Sequence, residues 1–339
     1  MTIKQVLIDT AKNLLANDKG LLAIDESNST CNERFALLEI PQNEEKRLAY
    51  REMIITTPGL KECISGVILY DETIRQNKKD GTSIISAIIE AGIIVGIKVD
   101  IGAKEMAGHS GEKITEGLDG LRIRLKEYYQ MGALFAKWRG VIVIDSRLPS
   151  RGCMEANAHA LARYSSLCQE VGLVPIIEPE VLMHGEHTMD RCFIVTEEVL
   201  RTVFNQLAIQ DVMLEGVIIK PNMILPGLTC PKQETVEEVS EATVKCLLRT
   251  VPAAVPGIMF LSGGQSGELA TARLNAMNYR FKSRLPWSLS FSFARAIQQP
   301  ALTIWKGNEA NVFAAQNSIF QRAKCNLAAS QGRYVISME

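Results

Sequence analysis

The chain has 339 residues, a formal net charge of −1 and 47% hydrophobic residues. That length suits one large α/β barrel or two ordinary domains. Because the charges nearly balance, no global field favours nucleic acid or an acidic membrane, and an anionic ligand would need a local cluster of cations. Eight scattered cysteines without a CxxC pair indicate free thiols in a reducing compartment. No apolar run approaches the roughly 18 residues of a membrane span, so we expect a soluble, cytoplasmic protein.

The chain begins with a predicted amphipathic helix, since apolar residues from Ile3 to Leu15 recur at helical spacing, unlike a signal peptide. Eight short apolar runs follow, and longer amphipathic segments separate them. The runs are GLLAID (20–25), GVILY (66–70), IIVGIKVD (93–100), ALFAKWRGVIVID (133–145), LVPIIEPE (173–180), GVIIK (216–220), IMFLS (258–262) and WSLSFSF (287–293). Several of the intervening helical segments end at glycine, which is typical of a helix C-terminus.

Strands that alternate with helices indicate βαβ units and a parallel sheet. Eight repeats favour a closed (β/α)8 TIM barrel, for which about 250 residues is typical. The remaining length fits an extra N-terminal helix, long loops and a C-terminal tail at about 330–339. A doubly wound open sheet is the rival fold, but no GxGxxG follows the first strand. Because no Pro/Gly/Ser linker divides the chain, we expect one domain over residues 1–339.

Charged or polar residues stand at most of the predicted strand ends, where barrels build their active sites. They are Asp25, Lys98 with Asp100, Glu178 with Glu180, Lys220, Ser262 and Arg295. A lone lysine at a strand end more often extends to solvent, whereas a desolvated lysine beside another cation becomes a nucleophile toward carbonyls. Lys98 and Lys137 are candidates for that cation. Spacing alone does not place Lys137 in the site, because it lies early in a long apolar run.

Schiff-base chemistry at Lys220 would also need carboxylates nearby. Glu178 or Glu180 could remove water from the carbinolamine, and Asp25 could accept a hydroxyl proton when a carbon–carbon bond breaks. Each has a structural alternative, since Asp25 could cap a turn and Glu178 could pair with an arginine.

Two segments could bind anions. The stretch LSGGQSGE (261–268) joins the seventh strand to a helix predicted to begin near Ser266, and Arg295 follows the eighth strand. Barrel phosphate sites commonly form from these two loops, with glycine N–H groups and a helix N-terminus, although a glycine turn alone is weak evidence. A second anion could contact residues after strand one together with cations of strands three and four: Ser27, Thr30, Arg34, Lys98 and Arg139.

A metal site and a serine nucleophile are both disfavoured. The sequence has only four histidines, and His184 and His187 are spaced as HxxH in a predicted polar loop rather than as HExxH on a helix. No GxSxG elbow is present.

The motifs GLLAIDES, GIKVD, FAKWR, IIEPE, LEGVIIKPNM, FLSGGQS and LSFSFARAIQ resemble, in order, those of the Schiff-base (class I) fructose-1,6-bisphosphate aldolases. The resemblance extends over about residues 9–334. It implies a TIM barrel without metal or cofactor, usually a homotetramer. The implied reaction is reversible cleavage of fructose 1,6-bisphosphate to dihydroxyacetone phosphate and glyceraldehyde 3-phosphate, in glycolysis and gluconeogenesis.

The resemblance also implies roles for individual residues. Lys220 matches the Schiff-base lysine, Glu178 the acid/base of imine chemistry, Lys137 the lysine assisting the carbinolamine, and Asp25 the carboxylate near the C4 hydroxyl. Ser262, Gly263 and Arg295 match the site of the C1-phosphate, and the neighbouring Gly264 and Ala294 are also expected to bind phosphate. The other phosphate is matched by Ser27, Lys98 and Arg139, with Arg34 and Glu180 supporting.

Two departures from the family pattern affect these expectations. Ala294 replaces the usual glycine, which predicts a tighter phosphate pocket. The chain ends GRYVISME, whereas many relatives end in a tyrosine that assists proton exchange, and Tyr334 is not assumed equivalent. The motifs leave open a preference for sedoheptulose 1,7-bisphosphate or fructose 1-phosphate, and a non-catalytic scaffold with the same fold.

Overall fold

Eight parallel strands close into a barrel in the computed structural model, which describes residues 2–339. Each strand pairs with its neighbours in chain order, and β8 pairs with β1 to close the ring. The strands are β1 Gly20–Ala23, β2 Ile64–Leu69, β3 Ile94–Lys98, β4 Phe135–Ile142, β5 Val174–Val181, β6 Ile218–Ile219, β7 Gly257–Phe260 and β8 Ser288–Phe293. The predicted (β/α)8 barrel is therefore confirmed.

Helices surround this barrel. They are α1 Ile3–Leu15, α2 Asn28–Ala36, α3 Glu44–Ile55, α4 Asp71–Ile74, α5 Ile84–Glu90, α6 Leu121–Met131, α7 Arg151–Val171, α8 Met189–Ile209, α9 Val236–Thr250, α10 Gly267–Phe281, α11 Arg295–Trp305 and α12 Val312–Ser330. Side-chain caps fix several starts, including a capping box at Thr235 before α9. As predicted, glycines in the left-handed conformation end α6 and α7, at Gly132 and Gly172.

The extra N-terminal helix closes the amino-terminal end of the barrel. Leu7, Ala11, Leu14 and Leu15 of α1 are buried in one apolar cluster with barrel residues such as Phe135 and Met259. Glycines at the strand starts let α1 approach closely, because a Cβ on Gly257 would lie 2.4 Å from Leu15. With this end sealed, the cavity at the other end of the barrel is the open one.

Alternation along the strands separates an apolar floor from a charged mouth. On β5, the floor residues Val174 and Ile176 belong to the cluster that packs on α1, while Glu178 and Glu180 line the cavity. On β4, Phe135 lies in the floor and is followed on the same face by Lys137, Arg139 and Val141, which line the cavity. Because side chains alternate between the two faces of a strand, Lys137 and Arg139 both point into the open end of the barrel.

The largest differences from the predicted elements lie at β6 and after β3. The strand expected at 216–220 is only Ile218–Ile219, although the Lys220 N–H still donates to the Ile177 carbonyl at 2.8 Å. Pro221, which cannot donate a ladder bond, follows at once. A short antiparallel hairpin, Ala103–Glu105 with Lys113–Thr115, follows β3 and was not predicted.

The eight cysteines are all buried and carry free thiols, as the absence of a CxxC pair indicated. Within residues 2–339, no helix combines the length and apolar character needed to cross a membrane.

Gly96 on β3 offers a test of the packing in the barrel floor. A Cβ at this position would lie 2.2 Å from the ring of Phe135 on the neighbouring strand. We expect Gly96→Ala to lower the free energy of unfolding by about 1–3 kcal/mol, the usual cost of overpacking. Gly140→Ala is the matched control, because its Cβ would make only an ordinary 3.4 Å contact with Leu161. Equal urea midpoints for the two variants would contradict this packing.

Candidate active site

A cavity of about 1130 Å³ opens at the carboxyl end of the barrel. Fourteen of the fifteen residues predicted for the site line it: Asp25, Ser27, Thr30, Arg34, Lys98, Lys137, Arg139, Glu178, Glu180, Lys220, Ser262, Gly263, Ala294 and Arg295. Gly264 does not line the cavity, but a Cβ there would lie 3.5 Å from the Arg295 guanidinium. The fold thus gathers side chains that are up to 270 positions apart in the sequence.

Four buried charges form the centre of this cavity. Lys137 Nζ lies 2.9 Å from Asp25 Oδ2 and 2.9 Å from Glu178 Oε2, and Lys220 Nζ lies 3.2 Å from Glu178 Oε1. All four residues are between 3% and 7% exposed. Two cations and two carboxylates balance each other, which makes their joint burial tolerable.

The two lysines differ in their pKa. Burial lowers the pKa of Lys220 below that of an ordinary lysine; Lys137 adds to the shift and Glu178 opposes it. Burial also acts to lower the pKa of Lys137, but the carboxylates of Asp25 and Glu178 outweigh burial and raise that pKa. Lys220 is therefore the lysine that loses its proton more readily.

The two carboxylates of the centre are ionised. Burial acts to raise the pKa of Asp25, yet Lys137 and Lys220 outweigh it and lower this pKa to about 2. Burial acts in the same sense on Glu178, and the cations of Lys137, Lys220 and Arg139 again lower the pKa. The ion pair between Glu178 Oε2 and Lys137 lacks hydrogen-bond geometry, so this oxygen has no hydrogen-bond partner. It can accept or return a proton.

The loop after β7 has the geometry of an anion site. Gly263 and Gly264 have φ of 59° and 98°, in the left-handed region where glycine is favoured, and such successive turns bring backbone N–H groups together. The helix α10 begins directly afterwards, with Ser266 as its N-cap, as predicted. Ser262 and Gly263 face the cavity, so the positive end of α10 and the loop amides lie at its wall.

The cations around the cavity differ in their counter-ions. Lys98 lies 2.8 Å from Asp100, Arg139 contacts Glu180, and Arg34 lies 2.5 Å from Glu26. Among residues 2–339, by contrast, Arg295 has no carboxylate within ion-pair distance. The end of the cavity at Ser262 and Arg295 therefore carries the less compensated positive charge.

Two further carboxylates support the site: Asp100, which the sequence already placed at the end of the third strand, and Glu26, which was not singled out. Asp100 Oδ1 forms an ion pair with Lys98 Nζ at 2.8 Å, and Asp100 Oδ2 accepts from the backbone N–H of Arg139 at 3.3 Å, so the residue links two strand-end cations. Glu26 accepts from both Arg34 and Arg51. Glu26 adjoins Asp25 in the sequence, and that proximity was the available signal.

The structure shows the surroundings of Ala294 and Tyr334, the two residues at which the sequence departs from the family pattern. Ala294 has φ of −107° and ψ of −90°, outside the main helical and extended regions, and it lines the cavity. Tyr334 does not line the cavity; its hydroxyl donates to Glu339 Oε1 at 2.7 Å.

His184 and His187 lie in the loop between β5 and α8, as expected. In the described chain, no three His, Cys, Asp or Glu side chains are grouped to hold a metal ion.

Fold and site together define a closed (β/α)8 barrel whose open end holds two buried lysines paired with two carboxylates. A family model described as "Fructose-bisphosphate aldolase class-I" matches residues 6–339. The chain is 54% identical over 335 residues to the "Probable fructose-bisphosphate aldolase class 1" of Xanthomonas campestris pv. campestris, covering 98% of this chain and 99% of that protein. It is 49% identical over 328 residues to the cytosolic fructose-bisphosphate aldolase 6 of Arabidopsis thaliana, covering 97% and 91%.

A solved structure agrees closely with the whole fold. It is the Plasmodium falciparum fructose-bisphosphate aldolase, determined in complex with TRAP and a small-molecule inhibitor. The TM-score is 0.96 at 43% sequence identity, covering 98% of this chain and 96% of that one. The chain belongs to the class-I fructose-bisphosphate aldolase family.

Proposed function

We propose that this chain uses Lys220 as its Schiff-base residue in the reversible cleavage of fructose 1,6-bisphosphate to dihydroxyacetone phosphate and glyceraldehyde 3-phosphate. The reaction is that of its family, and the residue roles are our assignment. One observation carries the assignment: Lys220 is a buried strand-end amine with a lowered pKa, 3.2 Å from a carboxylate. A lowered pKa leaves more of the amine neutral and nucleophilic near pH 7.

Imine formation needs a proton donor and acceptor beside the amine. The neutral Lys220 amine attacks the C2 carbonyl carbon, and the carbinolamine then loses its hydroxyl as water. Glu178 is positioned for the proton transfers, since one of its oxygens contacts Lys220 and the other has no hydrogen-bond partner. Lys137, held protonated by Asp25 and Glu178, stabilises negative charge on the carbinolamine oxygen.

Carbon–carbon cleavage follows from the iminium acting as an electron sink. Asp25 takes the proton of the C4 hydroxyl, the C3–C4 bond breaks, and its electron pair moves into the iminium to give an enamine. Glyceraldehyde 3-phosphate leaves with its new carbonyl. Protonation of the enamine at C3 and addition of water to the iminium release dihydroxyacetone phosphate and the free Lys220 amine.

We assign the C1-phosphate to Ser262, Gly263 and Arg295, with Gly264 and Ala294 supporting the two loops. The uncompensated guanidinium of Arg295 and the loop amides support this assignment. The second phosphate is assigned to Ser27, Thr30, Lys98 and Arg139, with Arg34 and Glu180 supporting. These cations already contact carboxylates, so we expect the C1-phosphate to contribute more binding energy.

Arg295 gives a direct test of the C1-phosphate assignment. We expect Arg295→Met to raise the KM for fructose 1,6-bisphosphate about 10- to 100-fold, the effect of losing charge-assisted hydrogen bonds. Fructose 1-phosphate, which shares that phosphate, should lose affinity by a similar factor. The matched control is Arg284→Met, a change at an exposed guanidinium outside the cavity lining. A KM for both substrates within twofold of the unmodified protein would refute the assignment.

The activity itself is tested with the purified chain and a coupled assay for both triose phosphates, in the presence of EDTA. We expect cleavage of fructose 1,6-bisphosphate that the chelator does not reduce. Competition with sedoheptulose 1,7-bisphosphate and fructose 1-phosphate ranks the substrates. Folded protein without activity on any of them would favour the scaffold hypothesis and overturn this proposal.

The assembly and the cellular location of this chain are also proposed from its family. We propose one domain over residues 1–339 with its tail at about 330–339, a homotetramer, and a cytoplasmic location. The cytosolic Arabidopsis relative supports the location. Light scattering at micromolar concentration tests the assembly, and a monomer mass would contradict it.

A further inference from the structure

Arg273 is a buried arginine directly behind the phosphate loop. It lies on α10 and is 4% exposed. Its Nη1 donates to Gln265 Oε1 at 2.7 Å, and its Nε has no hydrogen-bond partner. Burial of a guanidinium is costly unless charge and hydrogen bonds are both satisfied, and neither condition is met in full here.

The missing counter-ion distinguishes Arg273 from the other fully buried arginines of the described chain. Arg51 contacts Glu26, and Arg322 contacts Glu339. Within residues 2–339, no carboxylate lies within 4.0 Å of Arg273. The buried Glu234 acts on it from farther away; its Oε1 pairs with Lys232 at 3.1 Å, and its Oε2 has no hydrogen-bond partner. Burial lowers the pKa of Arg273 to about 10, so the group is still charged near pH 7.

A single glutamine connects this charge to the cavity wall. Gln265 Nε2 donates to the Ser262 carbonyl at 3.0 Å, and the Gln265 backbone N–H donates to the same oxygen at 3.1 Å. Because Arg273 donates to the amide oxygen of Gln265, the amide nitrogen must face Ser262. Through Gln265, Arg273 thus holds the Ser262–Gln265 turn on the side away from the cavity. Its positive charge lies behind the part of the cavity wall that Ser262 and Gly263 form.

We infer that Arg273 is a positioning residue whose buried charge is compensated by the phosphate group of the substrate. This inference rests on the proposed C1-phosphate site. The bound dianion lies on the far side of the Ser262–Gln265 turn, where little water separates it from the guanidinium, and charges interact strongly in such surroundings. In the ligand-free protein the guanidinium has no carboxylate in contact and only the more distant Glu234 opposes its charge, and the ligand completes the compensation.

The inference predicts opposite effects on affinity and stability. Arg273→Met keeps the size of the side chain but removes the charge. We expect it to weaken the binding of inorganic phosphate, measured by calorimetry, about tenfold and to raise KM similarly. The Tm of the ligand-free variant should be unchanged or higher, since an unpaired buried charge is gone. Arg273→Lys retains the charge and should keep at least half of the lost affinity.

Arg322→Met is the matched control, because it removes a buried arginine of α12 that does have a carboxylate partner, Glu339 at the end of the chain. It leaves Glu339 unpaired, so we expect a lower Tm and phosphate affinity within twofold of the unmodified protein. Phosphate affinity within twofold in folded Arg273→Met would overturn the inference. So would a loss of affinity accompanied by a lower Tm and not restored by Arg273→Lys, which indicates a structural role. Calorimetry does not need turnover, so these outcomes are separate from any failure of the proposed activity.

Discussion

Replacing Lys220 by methionine is expected to lower kcat/KM for fructose 1,6-bisphosphate on the order of 10⁴-fold or more. Without the amine, no covalent iminium forms and the C3–C4 bond has no electron sink. Methionine has nearly the same length, and losing one buried cation should leave the fold intact. Steady-state kinetics and a thermal melt of the same preparation measure both effects.

Lys137→Met is the matched control for that prediction. It removes the neighbouring cation, which contacts Asp25 and Glu178 at 2.9 Å, but leaves the Lys220 amine in place. We expect it to slow cleavage while dihydroxyacetone phosphate still attaches to Lys220. If Lys220→Met retained activity within tenfold and Lys137→Met did not form the adduct, the roles of the two lysines would be reversed.

Replacing Asp25 by asparagine should separate cleavage from imine formation. The variant keeps a side chain of the same shape near Lys137, but it cannot take the proton of the C4 hydroxyl. We expect kcat for cleavage to fall about 10³-fold, a usual contribution of a general base. Dihydroxyacetone phosphate should still form its imine with Lys220, because Glu178 and both lysines are unchanged.

The two readouts of the Asp25 variant are rapid-quench cleavage and trapping of the imine by reduction. Asp25 contacts Lys137 and not Lys220 within ion-pair distance, so its removal should affect the second step selectively. Loss of imine formation in parallel with cleavage would assign Asp25 to positioning of Lys137 instead.

The barrel could be predicted because its strands are apolar runs that end in charged residues. Whether a side chain of such a strand points into the barrel or toward the helices depends on the residue at which strand pairing begins. An apolar run does not reveal that residue. Lys137 illustrates this: the run 133–145 was too long to show that the strand ends at Ile142 and that Lys137 faces the mouth. The hairpin after β3 has only three residues in each strand, too few for a periodic signal.

The candidate site was predictable as far as its residues stand at strand ends. Supporting contacts from the helices were not, because they join positions far apart in the sequence. Arg273 shows the difference, since it is one polar residue on a helix, and only the fold brings it behind the Ser262–Gln265 turn. Gln298 is similar: it contacts Arg34 at 2.9 Å across 264 positions.

The most direct test of the Schiff-base assignment is borohydride reduction of the protein with dihydroxyacetone phosphate in EDTA, followed by peptide mass mapping. We expect one adduct, on Lys220, because it combines burial in the cavity, a lowered pKa and contact with Glu178. Lys220→Met should give none, and Asp25→Asn should give the same adduct as the unmodified protein. An adduct on Lys137, or no adduct on folded protein, would contradict the assignment of Lys220 as the nucleophile.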